Sequence, residues 1–482
     1  MQNNTTITAT SVWQYFSQIT NIPRPSKKEA QIRAFLLDFA KKQGLDAITD
    51  NAGNVLIRKP ASADRKTTNT LILQSHMDMV CEKNNDSIHN FDTDPIQTQI
   101  SGDWMQAKDT TLGADNGIGM AMQLAVLADK EMSHPNLECL FTCDEETGLY
   151  GASNLDPTML RGETLLNLDT EEEGEFCIGC AGGMDTLITI PKIKQATPEN
   201  FFFFTVAVSG LLGGHSGEDI NKHRANSIKI LTHYLHILQT KTDLYIAEIN
   251  GGNLRNAIPR EAQAILAVPY KDKELVRVEI NHFIAEVENE YQATEKQFRF
   301  DLESTDIKPF VLSKELSNNL IQSLLACPHG VSEMHPENSN LVLTSTNLAA
   351  IHSLDETIFI ETSQRSANEK KKKAIAETVA ANFKACQAQI EKGKDYPGWE
   401  PNMQSPILKS CIDTYQKLFD KAAIVKTIHA GLECGVIAQK YPLLDMISIG
   451  PTITGAHSPS EKVQISSVEK CWQLLIQLLK TV

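Results

Sequence analysis

Residues 70–80, TLILQSHMDMV, contain the pattern that decides the fold of this chain. An apolar run, typical of a buried strand, ends just before His76 and Asp78. Two more apolar runs, at 137–143 and 164–168, are followed by acidic residues in the same way. Helix-like segments separate the runs, and strands that alternate with helices favour a mostly parallel sheet with helices on both faces. The sequence therefore predicts an α/β fold with three layers.

Side chains of the types that bind divalent metals follow these runs or lie in glycine-rich loops. They are His76, Asp115, Glu146, Asp169 and His457. In open α/β sheets, ligands bind outside the carboxyl ends of the strands, so these side chains are expected to converge. Two imidazoles and three carboxylates are enough to hold two cations that share one carboxylate. Paired cations can activate a water and polarise a carbonyl together, so the set predicts a two-metal hydrolase.

Two further acidic residues suit supporting roles in such a site. Asp78 follows His76 closely enough to accept the second N–H of a metal-bound imidazole, which fixes the tautomer of the ring. Glu145 precedes Glu146 directly, so one of the pair could bind a metal while the other takes a proton from the attacking water. The sequence predicts both roles without proving either.

Each of these residues also has an ordinary explanation. Asp115 follows Gly113 in a turn and could simply cap a helix, since aspartate is a favoured helix starter. Glu145 and Glu146 could be the acidic residues of a first helical turn. His457 lies in a loop of Gly, Ser and Pro, where a histidine is often a bystander. The order and spacing of the whole set favour a site more strongly than any single residue does.

The bulk composition excludes several classes of protein. The formal net charge is −15, which argues against a nucleic-acid or anionic-membrane partner. No apolar run reaches the roughly 18 residues that a membrane helix needs. The first residues lack a basic segment followed by an apolar one, so no secretory signal is expected. The 10 cysteines are scattered, which fits reduced thiols and a cytoplasmic protein.

The position of His457 implies an inserted domain. The other candidate ligands end at Asp169, so the chain must leave the site and return to it. We predict a catalytic domain made of residues 1–183 and 392–482, with an α/β lid domain at 184–391 between its two parts. Residues 391–399, EKGKDYPGW, are predicted to be the returning linker.

The predicted lid and the segment after it add candidate substrate-binding residues. His215 lies in Gly213–Gly217, GGHSG, and could reach a substrate oxyanion, although the segment could equally be a plain turn. Asn256 and Arg365 are further polar candidates. Gly431 begins GLECG, where backbone N–H groups could bind a substrate carboxylate, or where a turn simply precedes a helix.

Several motifs together resemble a known family, the co-catalytic zinc peptidases that include carnosinases, aminoacylases and glutamate carboxypeptidase. Within that family the chain is similar to the branch of aminoacyl-histidine dipeptidases, over nearly its whole length. The motifs are SHMDMVCEK, LGADNGIG, DEETGLYGA, NLDTEEEGE, GCAGG, GLLGGHSGEDI, NLRNAIPREA, HAGLECG and GAHSPSE.

The resemblance implies roles for the site residues. Asp115 bridges two zinc ions, His76 and Asp169 complete one, and Glu146 and His457 complete the other. Asp78 orients His76, and Glu145 is the general base. His215 stabilises the oxyanion, while Asn256, Arg365 and Gly431 bind substrate. Co²⁺ and Mn²⁺ suit the same ligands as Zn²⁺, so the ligand types do not choose among them.

The resemblance also implies a cytoplasmic metallo-dipeptidase, expected to be a homodimer, that hydrolyses dipeptides and prefers Xaa-His substrates such as carnosine. Two alternatives stay open at this point. The same scaffold could serve a deacylase or a carboxypeptidase, or it could belong to a binding protein without catalysis.

Overall fold

The structure is a computed structural model that describes residues 9–65, 69–84, 87–217, 219–336 and 338–482. The chain forms two compact units. Unit 1 comprises Met1–Gly179, Trp399–Thr427 and Leu432–Val482, and unit 2 comprises Cys180–Gly398 and Ile428–Gly431. In the described ranges, none of the helices combines the length and the apolar content that a membrane crossing needs.

The helices and strands are numbered in chain order. The α-helices are α1 (Thr10–Ile19), α2 (Ala30–Gln43), α3 (Ala114–Ala128), α4 (Tyr150–Ser153), α5 (Ser227–Lys241), α6 (Lys273–Tyr291), α7 (Lys314–Ala326), α8 (Glu369–Asn382), α9 (Pro406–Phe419), α10 (Glu433–Lys440) and α11 (Ile465–Thr481). The strands up to the middle of the chain are β1 (Asp46–Thr49), β2 (Val55–Lys59), β3 (Thr70–His76), β4 (Thr98–Ser101), β5 (Trp104–Ala107), β6 (Asn136–Thr142), β7 (Thr164–Asn167), β8 (Glu175–Cys180), β9 (Gly182–Pro191), β10 (Lys194–Ala196), β11 (Phe201–Ser209), β12 (Gly214–His215) and β13 (Tyr245–Gly251). The later strands are β14 (Ala257–Ile258), β15 (Ala262–Pro269), β16 (Arg299–Ser304), β17 (Phe310–Leu312), β18 (Gly330–His335), β19 (Asn338–Ser353), β20 (Thr357–Ser366), β21 (Gln389–Tyr396), β22 (Ile424–Ile428), β23 (Asp445–Ser448), β24 (Ile453–Thr454) and β25 (Lys462–Gln464).

Unit 1 is built on a sheet with the strand order β1-β2-β6-β3-β7-β23-β8-β22. Its centre is parallel, because β3 pairs in parallel with β6 and with β7, and β7 pairs in parallel with β23. The flanking pairs β1/β2, β2/β6 and β23/β8 are antiparallel. The predicted α/β class is confirmed, and its parallel part is these central four strands. Their carboxyl ends lie at one edge of the sheet.

A smaller antiparallel sheet in unit 1 has the order β24-β25-β5-β4. The loop between β24 and β25 contains His457, and β25 pairs with β5, for example Val463 with Met105. The chain runs from β5 through Gly113 into α3. This pairing therefore brings two loops together that lie almost 350 residues apart in the sequence.

Helix packing in unit 1 follows the hydrophobic pattern. Helix α1 buries Val12, Phe16 and Ile19, which recur at helical spacing on one face, against α3. Helix α3 itself is buried along almost its whole length because it lies between α1 and β3. Its sequence after Asn116 is accordingly apolar except for Gln123, which donates to the carbonyls of Leu73 and Leu140.

Unit 2 contains an antiparallel sheet with the order β16-β11-β15-β13-β19-β20-β9-β21, and β18 pairs with β19 beside this path. Helices α5, α6, α7 and α8 pack on it and share one core, which includes Tyr234, Phe283 and Phe383. The predicted linker at 391–399 is wrong for most of its length. Residues Gln389–Tyr396 are strand β21, paired with β9, so these residues extend the sheet.

Candidate metal centre

The parallel strands of unit 1 bring two predicted ligands to the same edge of the sheet. His76 is the last residue of β3 and is only 1% exposed. Asp169 lies two residues beyond the end of β7. Strands β3 and β7 are neighbours with Gln74 opposite Asn167, so their ends are level. His76 Nε2 lies 3.5 Å from Asp169 Oδ1.

Asp115 lies between the two histidines. Its Oδ1 is 2.9 Å from His76 Nε2, and its Oδ2 is 3.1 Å from His457 Nε2. His457 Nε2 is also 3.0 Å from Glu146 Oε2. The structure thus forms two clusters, His76–Asp115–Asp169 and Asp115–Glu146–His457, each with its ligand atoms within 4.8 Å of one another. These clusters contain the five side chains that the sequence singles out, and Asp115 belongs to both.

Asp78 contacts both sides of this site. Its Oδ1 lies 3.4 Å from His76 Nδ1, the ring nitrogen that faces away from Asp115. The same carboxylate accepts the backbone N–H of Glu145 at 3.0 Å and of Glu146 at 3.3 Å, and the Ser26 hydroxyl at 2.8 Å. Asp78 therefore restrains the His76 ring and the acidic pair together.

The charges in unit 1 are unbalanced around these residues. Burial and the neighbouring carboxylates Glu146 and Asp169 raise the pKa of Glu145 well above its usual range, although His76 lowers it. Burial likewise raises the pKa of Glu146. Burial disfavours the charged ring of His76, but Asp169 and Asp115 outweigh that effect and raise its pKa well above the ordinary value. Hydrogen bonds to Asp115 and Glu146 raise the pKa of His457 to about 11. The carboxylates of this site therefore outnumber its positively charged groups.

The donor set fits divalent cations. Imidazole nitrogens and carboxylate oxygens are common ligands of zinc and related metals. Glu146 Oε1 is buried and has no hydrogen-bond partner among the described residues, which leaves one lone-pair-rich atom for a cation. The excess of carboxylates over imidazoles supplies the charge that two divalent ions would neutralise. The residues present therefore fit a two-cation centre.

Several residues that support the site were not predicted from the sequence. Asn116 donates from Nδ2 to Asp169 Oδ1, and the peptide bond before it is cis. Buried Glu433 accepts hydrogen bonds from Gln74 and Thr142, and burial raises its pKa to about 7. Asn116 and Glu433 lie within the motifs LGADNGIG and HAGLECG, so the motifs could have indicated them. Buried Arg24, which donates to the carbonyl of Gly113 two residues before Asp115, lies in no such motif.

The predicted substrate-binding residues all belong to unit 2, and two of them, His215 and Arg365, lie near His429. His215 is paired with Ala257 across β12 and β14, and Asn256 O accepts the backbone N–H of Ser216 at 2.8 Å. The Arg365 guanidinium donates from Nη1 to the carbonyl of His429 at 3.3 Å and to the Tyr396 hydroxyl at 3.1 Å.

Further contacts complete this cluster in unit 2. A side chain at Gly431 would begin 3.0 Å from the Tyr396 ring, so backbone and ring are in close contact there. Burial, with Arg365 and His215 nearby, lowers the pKa of His429 to about 3. Its Nε2 lies 2.6 Å from Ser345 Oγ, so a neutral ring accepts that hydroxyl. His429 itself was missed, although it begins the motif HAGLECG.

Comparisons with known proteins agree with this geometry. The sequence profile described as Peptidase family M20/M25/M40 matches residues 72–481. The chain is 41% identical over 471 residues to the cytosol non-specific dipeptidase of Escherichia coli, an alignment that covers 98% of this chain and 97% of that protein.

Solved structures give the same picture. The aminoacylhistidine dipeptidase from Vibrio alginolyticus matches with a TM-score of 0.93 and 38% identity, over 100% of this chain and 99% of that one. Aminopeptidase PepT from Bacillus cereus matches with a TM-score of 0.59 and 15% identity, over 98% and 99% of the two chains, and this likeness shows the fold alone. Since the profile spans most of the sequence and a relative this similar covers nearly all of it, the chain belongs to peptidase family M20/M25/M40.

Proposed function

We propose that this protein is a metallo-dipeptidase that hydrolyses the peptide bond of dipeptides at a two-cation centre. One observation carries the proposal: the two oxygens of Asp115 face the Nε2 atoms of two different histidines, at 2.9 and 3.1 Å. A carboxylate in that position suits a ligand shared by two cations. The first cation would be held by His76 and Asp169, and the second by Glu146 and His457.

The bound cations would supply an activated water and a polarised carbonyl, the usual chemistry of paired metals. Glu145 is the residue proposed to take the proton from the attacking water and to return it to the leaving amine. Its position supports that role, because an oxygen of Glu145 lies within 4.8 Å of ligand atoms of His76 and Glu146 and a general base must be close to the water that it activates. Asp78 keeps the His76 ring in place through Nδ1. His215 is proposed to donate to the developing oxyanion.

We propose that the substrate is captured at its carboxylate by groups of unit 2. Arg365 is 7% exposed, and its Nε atom has no hydrogen-bond partner among the described residues. Gly431 and Asn256 are proposed to contribute backbone and amide contacts. The free α-amino group is proposed to be held by one of the cations or by an acidic side chain. Capture at both ends would restrict the substrates to dipeptides.

Xaa-His dipeptides, carnosine among them, are the proposed preferred substrates. The relative from Vibrio alginolyticus is described as an aminoacylhistidine dipeptidase and that from Escherichia coli as a non-specific dipeptidase. The first description supports the preference, and the second supports a broader range that includes it.

The remaining proposals concern the cations and the cellular setting. Zn²⁺ is the proposed cation, with Co²⁺ and Mn²⁺ as substitutes, because all three accept imidazole and carboxylate ligands. The protein is proposed to be a cytoplasmic homodimer, in line with the cytosolic description of the relative from Escherichia coli. The catalytic domain, predicted at 1–183 and 392–482, is proposed to be unit 1, and the lid, predicted at 184–391, is proposed to be unit 2, so the second boundary moves to Gly398/Trp399.

The test is hydrolysis of Ala-His, β-Ala-His and N-acetyl-Ala-His by the zinc-loaded protein and by Glu145→Gln. We expect the wild type to cleave both unblocked dipeptides and to leave the acetylated peptide intact. Glu145→Gln should lose roughly 10²–10⁴-fold in kcat, the usual contribution of a general base, while it keeps its zinc. Glu172→Gln, which alters an exposed carboxylate near Asp169, is the matched control and should retain activity.

Two results would contradict the proposed activity, and a third would contradict the role of Glu145 alone. Release of acetate from N-acetyl-Ala-His without cleavage of the dipeptides would indicate a deacylase on the same scaffold. A wild type that retains two zinc ions but turns over none of the three compounds would indicate a binding protein. Full activity in Glu145→Gln would remove Glu145 from its role as the base.

A further inference from the structure

Glu461 is a buried carboxylate that binds the backbone of the loop before Asp115. Its Oε2 accepts the N–H groups of Leu112 at 2.7 Å and Gly113 at 2.9 Å. Its Oε1 accepts those of Ala114 at 2.7 Å and Asp115 at 3.3 Å. The side chain is only 2% exposed, so these backbone donors replace the water that a charged carboxylate requires.

Arg24 binds a carbonyl group of the same loop, whereas Glu461 binds its N–H groups. Its Nη2 donates to the carbonyl of Gly113, and its Nη1 donates to the carbonyls of Met77, at 3.2 Å, and Asp78. The guanidinium is buried as well. The Gly113 peptide therefore meets a carboxylate through its N–H and a guanidinium through its C=O. Arg24 also connects this loop to the segment that follows His76.

Glu461 connects two ligand loops as well. It lies four residues after His457, in the loop between β24 and β25. Its hydrogen bonds reach residues 346 to 349 positions earlier in the chain. Glu461 therefore ties the loop that contains His457 to the loop that leads to Asp115, and these two residues share the second proposed cation.

We propose that Glu461 is a positioning residue that fixes the Asp115 carboxylate between the two cation sites, with Arg24 as its counterpart on the other side of the loop. The inference rests on the proposed metal centre. Glu461 binds four successive backbone N–H groups, and the last of them belongs to the shared ligand itself.

Replacement of Glu461 by glutamine removes one acceptor oxygen without changing the size of the side chain. Glutamine has the same size but only one acceptor oxygen, so two of the four N–H groups would face an NH₂ group instead of an oxygen. We expect the affinity for Co²⁺, titrated into the metal-free full-length protein, to fall roughly 10- to 100-fold, as is usual when a residue that orients metal ligands is replaced. The visible absorption bands of bound Co²⁺ should shift, because the geometry of Asp115 and His457 changes.

Glu138→Gln is the matched control for this experiment. Glu138 is also a buried carboxylate of unit 1, is 1% exposed, and accepts the backbone N–H groups of Arg161 at 2.8 Å and Gly162 at 3.1 Å. Its substitution should lower the thermal midpoint of the metal-free protein without altering the Co²⁺ affinity or spectrum. If Glu461→Gln does not fold, Glu461→Asp, which keeps the charge but shortens the reach, takes its place with the same expected change.

The possible outcomes are distinct. A wild type that binds no Co²⁺ would overturn the proposed metal centre and this inference with it. A wild type that binds Co²⁺, beside a Glu461 variant with the same affinity and spectrum, would leave the metal centre standing and overturn the positioning role alone. Weaker Co²⁺ binding with shifted bands in the Glu461 variant, and not in Glu138→Gln, would support the inference.

Discussion

Arg365 shows how a single side chain can indicate a ligand. Its guanidinium is almost fully buried in unit 2, yet among the described residues its Nε atom has no hydrogen-bond partner and no ion pair joins it to a carboxylate. Its contacts are the neutral hydroxyl of Tyr396 and the carbonyl of His429. A buried guanidinium is costly unless it is paired, so the missing partner is well explained by an anionic substrate group.

Substitution of Arg365 by methionine tests this role. We expect KM for Ala-His to rise roughly 10- to 100-fold, because a hydrogen bond to a charged group contributes about 1.5–3 kcal/mol. The C-terminal amide of Ala-His lacks the negative charge, so its KM should change much less. Arg277→Met, which removes an exposed arginine paired with Glu274, is the control. An equal rise in KM for Ala-His and for its C-terminal amide would contradict the proposal that Arg365 binds the substrate carboxylate.

The start of α3 illustrates how an element depends on one backbone position. Gly113 precedes the helix with φ of +70°, and Asp115 has an extended backbone conformation within it, so the regular helix begins only after Asn116. A Cβ at Gly113 would lie 2.6 Å from Arg24 Nη2 and 2.8 Å from Met79 Sδ. Arg24 is held by several carbonyls and cannot move aside freely.

Gly113→Ala is therefore expected to be harmful in two ways. The positive φ costs a side-chain-bearing residue about 1–2 kcal/mol of folding free energy, and the contact with Arg24 disturbs the loop that leads to Asp115. Gly44→Ala is a close control, since Gly44 ends α2 with φ of +69° and a Cβ there would meet nothing within 4 Å.

Urea unfolding and Co²⁺ titration of the two alanine variants distinguish the effects. Both should lose about 1–2 kcal/mol from the positive φ, and only Gly113→Ala should lose more and bind Co²⁺ more weakly. Equal unfolding free energies and equal Co²⁺ affinities in the two variants would show that the Arg24 contact is unimportant.

The free energy of unfolding should decrease at acid pH, because unit 2 buries histidines in their neutral form. Burial, with Lys229 nearby, lowers the pKa of His329 to about 3, and its Nδ1 lies 3.2 Å from Asn226 Nδ2. Below about pH 6.5 the unfolded chain takes up a proton at this position, and the folded chain does not until about pH 3. The folded state therefore loses stability as the pH falls through that window.

His329→Gln should reduce this dependence. We expect the slope of unfolding free energy against pH, measured by urea unfolding between about pH 4 and 6, to fall by up to about 1.4 kcal/mol per pH unit. Measurements at about pH 7.5–8.5, where the ring is neutral in both states, give the cost of the substitution itself. An unchanged slope in the acid range would show that His329 is not buried in neutral form.

Much of the architecture near the site follows from local sequence patterns. Apolar runs predict β3, β6 and β7, and the candidate ligands that follow the runs lie at the strand ends or just beyond them. The turn residues Asn51-Ala52-Gly53-Asn54 join β1 to β2 as a hairpin, and Pro23 and Pro25 lie in the break between α1 and α2. Strand β21 did not follow, because its polar sequence is held in the sheet by pairing with β9.

By itself the sequence determined the α/β class, the candidate ligands and the order in which they occur, since these depend on hydrophobic periodicity and on the chemistry of single side chains. Only the tertiary structure decided that Asp115 faces two histidines, that Asn116 contacts Asp169, and that Arg24 and Glu461 hold the same loop. Those relations join residues up to 349 positions apart. No local pattern encodes them, because they arise only when the strands and loops pack together.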